Sequence, residues 1–395
     1  MTGERTLEPG RAAGDIYRTL GVEPIVNGRS TFTILGGSLM APSVLAAMAE
    51  AAEAFVDLTE LQAAVGRRIA ELTHNEAAFV SGGAAAGLFL SAAASIARGV
   101  PDGVAPLDRT GLPTEFIIHR AHRIPYDLAI GLAGGTLVEI GTDVATDQAE
   151  LEAAFTARTA GVLYVPKFHL APAVVPLDVV CHVAHQRGIP VIVDAAAQLP
   201  PRENLWRFTE AGADAVLFSG GKALCGPAST GLVLGSARFI ERLAVNAAPL
   251  QRLGRPMKIG KEDLVGILAA VEWYLELDEE ALIRRYEEQV AHLVDWGRER
   301  DDVDVVRVNM GEAGQPTPRA LVLLSGRDGH ERDAFLARLR AAPPRIDLLA
   351  GEENTFYIAP ETLRPGDERI VSDRLGQLLA ELAQPAEPAR EQSTV

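Results

Sequence analysis

The order of hydrophobic and polar positions divides the chain into three successive textures. In the first, apolar residues recur every three or four positions: Val44, Leu45, Met48 and Phe55 within residues 42–55, then Leu61, Val65, Ile69 and Leu72. That spacing lines one face of a helix, so two amphipathic helices are predicted. In the second texture, short apolar runs are bounded by glycine, proline or charge, at residues 77–80, 116–118, 137–140, 162–165, 191–193, 215–218 and 232–234. Helical stretches such as residues 85–97, 147–157 and 177–186 separate most of them. Strands that are apolar on both faces are covered on both faces. Their alternation with helices predicts an α/β domain built on a large, mostly parallel, seven-stranded sheet.

The third texture begins near Arg255. Residues 262–277 and 280–299 read as long charged helices, followed by strands at 303–308 and 320–324 and helices at 332–341 and 370–382. This is an α+β layout, which predicts a smaller C-terminal domain. The expected division is an N-terminal arm at 1–40, a large domain at 41–255, a small domain at 256–385 and a mobile tail at 386–395. No internal repeat is present.

Composition narrows the function classes. The chain has 395 residues, 48% of them hydrophobic and 23% charged, which describes a folded protein of two domains. A net charge of -16 counts against a nucleic-acid partner, because phosphate backbones are bound by clustered Lys and Arg. Two cysteines, Cys181 and Cys225, build no disulfide framework and fit a reducing compartment. Cys225 is expected as a small packed residue rather than a nucleophile. No apolar stretch reaches the roughly 18 residues a membrane helix needs, and the N-terminus lacks an apolar signal core. No membrane partner and a cytoplasmic location are the expectations.

Three local features carry chemistry. Ser81, Gly82, Gly83 and Ala84 follow a strand and open a helix, where small residues let backbone N–H groups approach a phosphate. A tight turn without a ligand, or a nucleotide site, remains open for them. Asp194 ends the run Val191-Ile192-Val193, where open α/β sheets bind ligands. A carboxylate there can keep a pyridine nitrogen protonated, or simply cap the following loop. Lys222 ends Phe218-Ser219-Gly220-Gly221-Lys222, an unusual position for a surface charge. The glycines clear the approach to its amine, and Ser219 offers a hydroxyl to the same phosphate.

Phosphate turn, strand-end Asp and later strand-end Lys stand in the order found in fold-type I enzymes dependent on pyridoxal phosphate (PLP). The run Phe218 to Lys222 with Gly226-Pro227, Val26-Asn27-Gly28-Arg29 with Leu35-Gly36-Gly37-Ser38, and Phe55-Val56-Asp57-Leu58 with Glu60-Leu61-Gln62 resemble the SelA-like branch of that class. The resemblance spans about residues 15 to 380. It implies the fold-type I transferase fold, PLP bound to Lys222 as a Schiff base, and Asp194 at the pyridine nitrogen. It also implies a homodimer or a higher even-numbered assembly.

Further roles come from the same resemblance. His122, and next His119, stands where such enzymes stack a residue on the cofactor ring, with Arg120 between them on the substrate side. Two histidines without a third ligand nearby are not expected to hold a metal. Arg252, Arg255 and Lys258 lie where the branch places basic residues near the site. Arg364 resembles the small-domain arginine that grips a carboxylate, and Asn27 and Thr33 resemble substrate contacts. His169, after Lys167 and Phe168, is a candidate proton shuttle or a rim residue.

The implied reaction acts on a small amino substrate through an α-carbanion. β-Elimination of the ammonia-lyase type on an amino acid or amino-sugar acid is favoured. A selenium-transferase role is disfavoured by the short segment before Asn27, the acidic balance, and Gly221 where that enzyme's motif carries an acidic residue. Racemisation or epimerisation, aldol cleavage and β-replacement use the same machinery. A degenerate PLP fold serving as a binding subunit is the non-enzymatic alternative.

Overall fold

A computed structural model describes residues 14–98, 100, 111–167 and 173–383. The expected mobile tail and His169 lie outside the described residues. The strands are, in chain order, β1 (Val26–Gly28), β2 (Ala77–Ser81), β3 (Glu115–His119), β4 (Thr136–Ile140), β5 (Thr159–Tyr164) and β6 (Val191–Asp194). They continue with β7 (Ala215–Ser219), β8 (Gly231–Gly235), β9 (Val303–Val308), β10 (Arg319–Leu324), β11 (Ile346–Ala350) and β12 (Thr355–Ile358). The α-helices begin with α1 (Asp15–Arg18), α2 (Pro42–Ala52), α3 (Leu58–Leu72), α4 (Ala84–Ile96), α5 (Leu128–Leu132) and α6 (Gln148–Ala153). Next come α7 (Leu177–His185), α8 (Asn204–Glu210), α9 (Ala237–Ala244), α10 (Lys261–Glu276), α11 (Glu279–Arg298), α12 (Gly329–Ala341) and α13 (Asp367–Ala383).

The chain forms two compact units. The larger, Thr31–Leu282 with Met310–Thr317, holds a seven-stranded sheet in the order β2-β8-β7-β6-β5-β3-β4. All seven expected apolar runs are its strands. The sheet is parallel from β7 to β4, whereas β8 runs antiparallel to both β7 and β2. Alternate side chains enter two hydrophobic cores, one on each face. Ile117, Val162, Val191, Val193, Val216 and Phe218 enter the first, and Phe116, Ile118, Leu163, Ile192, Ala215 and Leu217 the second. With both faces buried, the polar ends of these strands become the places where side chains are free for chemistry.

The smaller unit comprises, among the described residues, 14–30, Ile283–Asn309 and 318–383. Its five-stranded sheet has the order β1-β11-β12-β10-β9, parallel only between β1 and β11. Val303, Val305, Ala320, Val322, Phe335, Phe356 and Ile358 form its core, with Leu375 and Leu378 of α13.

Both units draw their boundaries elsewhere than the texture change at Arg255 suggests. Helix α10 buries Leu264, Ile267, Ala270, Val271 and Tyr274 in the first core of the larger unit, so its apolar face assigns it there. Val26, in the expected arm, pairs with Ile346 and joins the smaller unit's sheet. The helical face predicted over residues 42–55 is also corrected. Helix α2 ends at Ala52, and only Val44 is fully buried, with Met48 packed against the same core. Leu45 and Phe55 are exposed. Helix α3 follows its pattern, with Val65 and Ile69 buried and Asp57 capping it by accepting from Thr59 N at 2.8 Å and Glu60 N at 3.1 Å.

Candidate active site

A cavity of about 330 Å³ opens in the larger unit. Asp194 ends β6 and Ser219 ends the neighbouring β7, and both line the cavity. Lys222 lines it from the loop after β7. The loop is tightly tied: Gly220 N donates to Thr230 O at 2.9 Å, Gly226 N to Gly220 O at 2.8 Å, and Cys225 N to Lys222 O at 2.9 Å. A Cβ on Gly221 would meet the Ala228 Cα at 2.5 Å, so only glycine fits beside Lys222. From the other side, Ser38 N donates to Gly221 O at 2.9 Å. Cys225 is half-buried within this turn and is in no disulfide. Among the described residues, no carboxylate forms an ion pair with the Lys222 ammonium.

The turn after β2 contributes backbone. Gly83 has φ 100, and a Cβ there would meet nothing within 4 Å, so its outer side is open. Gly83, Ala84 and Ala85 line the cavity at the start of α4, whose first N–H groups have no partner within the helix. The Ser81 hydroxyl is turned away, donating to Gly83 O at 2.9 Å, with Gly231 O at 3.3 Å. Ser81 therefore shapes the turn rather than facing the cavity. Gly82 packs against the chain at Met257 and Lys258: a Cβ on Gly82 would lie 3.1 Å from the Met257 carbonyl oxygen. The stretch holding Arg255 and Lys258 thus passes behind the turn, with the Lys258 side chain exposed.

Asp194 is nearly buried, at 9% exposure, and accepts one backbone hydrogen bond, from Ala196 N at 3.1 Å. Burial pushes its carboxyl above the usual range, while that bond and the Lys222 charge pull it back. A cationic partner would relieve the buried carboxylate.

The histidines take a different place from the one expected. His119 and His122 are buried and do not line the cavity. His122 Nδ1 accepts from Val165 N at 3.3 Å, so its proton sits on Nε2. Its ring packs edge-on against His119 at 4.8 Å and Tyr164 at 4.5 Å. Among the described residues, neither nitrogen of His119 has a hydrogen-bond partner. Burial pushes His119 down to about 4; burial, then the charges of His119 and Lys167, push His122 down to about 3. Both rings are neutral packing behind the cavity wall, because β3 ends before the chain turns back toward the cavity at Ile124 and Tyr126.

Of the other candidates, Thr33 lines the cavity. Arg120 is half exposed and pairs with Asp143 at 2.9 Å. In the smaller unit, Asn27 donates to Ser30 O at 3.0 Å and accepts from Arg29 N at 2.9 Å, holding Ser30 at φ 101. Arg364 is exposed, its backbone N bonded to Asp367 at 2.9 Å. Lys167, expected at the cofactor's end of the sheet, lines the cavity, as do Gln198 and Glu312, which no motif marks. Lys167 donates to Arg123 O at 2.7 Å, and burial lowers its amine. Gln198 Nε2 donates to Ala313 O at 2.9 Å and Pro166 O at 3.2 Å, fixing the 310–317 loop beside β6. Gln198 lies four residues beyond Asp194, close enough to be suspected; Glu312 is signalled only by the Gly311 and Gly314 that flank it.

A large mostly parallel sheet with a strand-end Asp, a strand-end Lys and a backbone anion turn is the architecture of fold-type I PLP-dependent enzymes. The structure of SPT with PLP shares the fold at a TM-score of 0.59 and 13% identity. The chain belongs to the SelA family: its residues 26–287 match the family model for L-seryl-tRNA selenium transferase. It is 33% identical to 5'-C-glycyluridine monooxygenase-decarboxylase of Streptomyces sp, over 96% of this chain and 93% of that one. It is 36% identical to D-glucosaminate-6-phosphate ammonia lyase of Salmonella typhimurium, over 66% of this chain and 70% of that one. A solved structure of D-glucosaminate-6-phosphate ammonia-lyase aligns with a TM-score of 0.81 at 28% identity, covering 94% of this chain and all of that one. The chain is an enzyme of the PLP-dependent lyase type. No helix among the described residues is long and apolar enough to cross a membrane.

Proposed function

We propose that this enzyme binds PLP in the 330 Å³ cavity and releases ammonia from a small amino acid or amino-sugar acid by β-elimination. The observation that carries the reading is that Lys222, Asp194 and the first turn of α4 line one cavity. The donor set fits the cofactor. Asp194, buried and pushed toward protonation, suits a pyridine nitrogen that carries positive charge. The N–H groups of Ala84 and Ala85 and the Ser219 hydroxyl suit the phosphate.

When bound, PLP supplies an electron sink for the pair of electrons left at the substrate α-carbon. Lys222 Nζ would hold the cofactor and then take the α-proton as general base. Asp194 would keep a pyridine nitrogen protonated, which makes the ring a better electron sink. Lys167 has two N–H donors beyond its bond to Arg123 O, enough to receive a substrate carboxylate. Thr33, Gln198 and Glu312 surround the remaining space and would meet substrate hydroxyl or amino groups. For a β-hydroxy amino acid the atoms balance simply. The hydroxyl departs as water, one water is taken up as nitrogen leaves, and the products are a keto acid and ammonia.

A homodimer located in the cytoplasm, with no nucleic-acid or membrane partner, completes the reading. Leu39, Leu45, Phe55 and Val56 are exposed in the larger unit, and a second copy of the chain would cover them.

The test is direct. Purified protein reconstituted with PLP should absorb in the visible, lose that absorbance with borohydride, and carry the added mass on the Lys222 peptide. D- and L-amino acids and amino-sugar acids, D-glucosaminate 6-phosphate included, should then be screened for ammonia and keto acid. A colourless protein that PLP does not reconstitute overturns the cofactor; a coloured one releasing no ammonia overturns the reaction. The full-length match to a monooxygenase-decarboxylase favours a second reading, in which the substrate carboxylate leaves as CO2, one oxygen atom enters the product and the other becomes water. Oxygen uptake matched by CO2 release distinguishes it.

A further inference from the structure

A second cavity, of about 550 Å³, opens at the opposite end of the same sheet. Pro190 and Asp214, the residues just before β6 and β7, line it. Asp194 and Ser219 close those strands at their other ends, so the two cavities lie a strand length apart, roughly 15 Å at 3.3 Å per residue.

Three arginines line this second cavity. Arg98 follows the C-terminal end of α4, while Arg238 and Arg242 stand four residues apart on α9 and so share a face. Among the described residues none of the three is paired with a carboxylate. The carboxylate that lines the cavity, Asp214, is already committed. Its Oδ2 meets His185 Nε2 at 2.9 Å and the Val191 N–H at 2.8 Å. The start of α9 is committed too, since Ala237 N donates to Glu76 at 3.0 Å. Arg98 gives one N–H to Ala160 O at 3.4 Å and keeps its other donors. Burial first, then the like charge of Arg242, lowers its affinity for a proton. Guanidinium groups brought together in a half-buried space repel unless an anion lies between them.

We propose that this cavity is a second, non-catalytic site for a small oxyanion of the phosphate monoester or pyrophosphate class. Three planar forks present more donors than the two oxygens of one carboxylate accept, whereas a phosphate group offers three or more acceptors to bidentate pairing. The site stands apart from the PLP reading and does not depend on it.

The experiment uses protein saturated with PLP, so that the first cavity is occupied, and titrates pyrophosphate at constant ionic strength, read by calorimetry and thermal unfolding. Saturable binding with a raised Tm is expected. R238Q, at an exposed helix position, should weaken binding on the order of tenfold. The double variant R98M/R242M should abolish it. A Tm that drifts upward without saturation, binding undiminished in R238Q, binding that persists in R98M/R242M, or malonate binding as tightly as pyrophosphate would each overturn the proposal.

Discussion

Gly37 passes so close to Gly221 that a Cβ on Gly37 would lie 2.5 Å from the Gly221 carbonyl oxygen. Gly37 has φ 77, and the next residue, Ser38, donates to that same oxygen at 2.9 Å. The segment before α2 therefore sets the backbone position of Lys222. G37A is expected to cost about 1–3 kcal/mol through the left-handed backbone and the clash together. Its Tm should fall, and its PLP occupancy, read by visible absorbance, should fall more than in an S38A control.

Asp194 yields opposite effects on stability and activity. Its folded carboxyl binds a proton more tightly than the unfolded one, so the cofactor-free protein loses stability as pH rises through the carboxylate range. D194N removes that loss while its Oδ1 can still accept from Ala196 N. The cofactor-free variant should melt higher than the parent at pH 7, with the difference shrinking toward pH 4. Turnover should drop by about 100-fold or more, because the ring nitrogen loses its ionic partner.

His119 and His122 make the fold acid-sensitive. Both bind protons less readily folded than unfolded, with folded values of about 4 and about 3. Their contribution is intact above the unfolded value near 6.5 and is lost as pH falls from there toward 4. The groups facing them are each other, Tyr164, which burial pushes up to about 12, and Lys167. H119L removes a ring with two unpartnered nitrogens, so at pH 7 it should be neutral or stabilising by up to about 1–3 kcal/mol. A urea midpoint that falls less steeply from pH 7 to 5 than in the parent would confirm it.

Gln198 holds the 310–317 loop through Ala313 O. Q198A forfeits two hydrogen bonds, worth about 1 kcal/mol each. KM should rise several-fold with a smaller change in kcat, and amide exchange at residues 311–314 should accelerate.

Phe55 is fully exposed one turn beyond α2. F55D should leave the Tm of a dilute sample nearly unchanged yet shift the protein to a smaller species by size-exclusion and light scattering. An unchanged mass would remove Phe55 from any contact between copies.

The seven strands of the larger unit were legible because each is unbroken apolar sequence, and burial on both faces requires that. That Asp194, Ser219 and Lys222 share one cavity was legible because polar residues at or just beyond the ends of such runs stand out. The antiparallel direction of β8 was not, since an apolar run has no polarity of its own. Nor was the exposure of Phe55, because helical spacing reports a face without saying what covers it. Glu312 reaches the cavity with Ala313 from a loop between β9 and β10, remote in sequence from the other lining residues, and only the folded chain brings the pair there. His119 and His122 misled for a related reason: a histidine near a strand end looks functional whether its ring faces a cavity or the packing behind it.

The turn before α4 meets the cavity through Gly83, Ala84 and Ala85, and the Ser81 hydroxyl is spent on the turn's own carbonyl. Alanine at Ser81 would therefore leave that backbone lining in place, whereas a side chain at Gly83, whose φ is 100, would strain it. A further vulnerable position lies on another strand: a Cβ at Gly231 would sit 2.5 Å from Ala84 N. Sequence variation at Gly231 in β8 should therefore disturb the cavity as directly as variation within the turn.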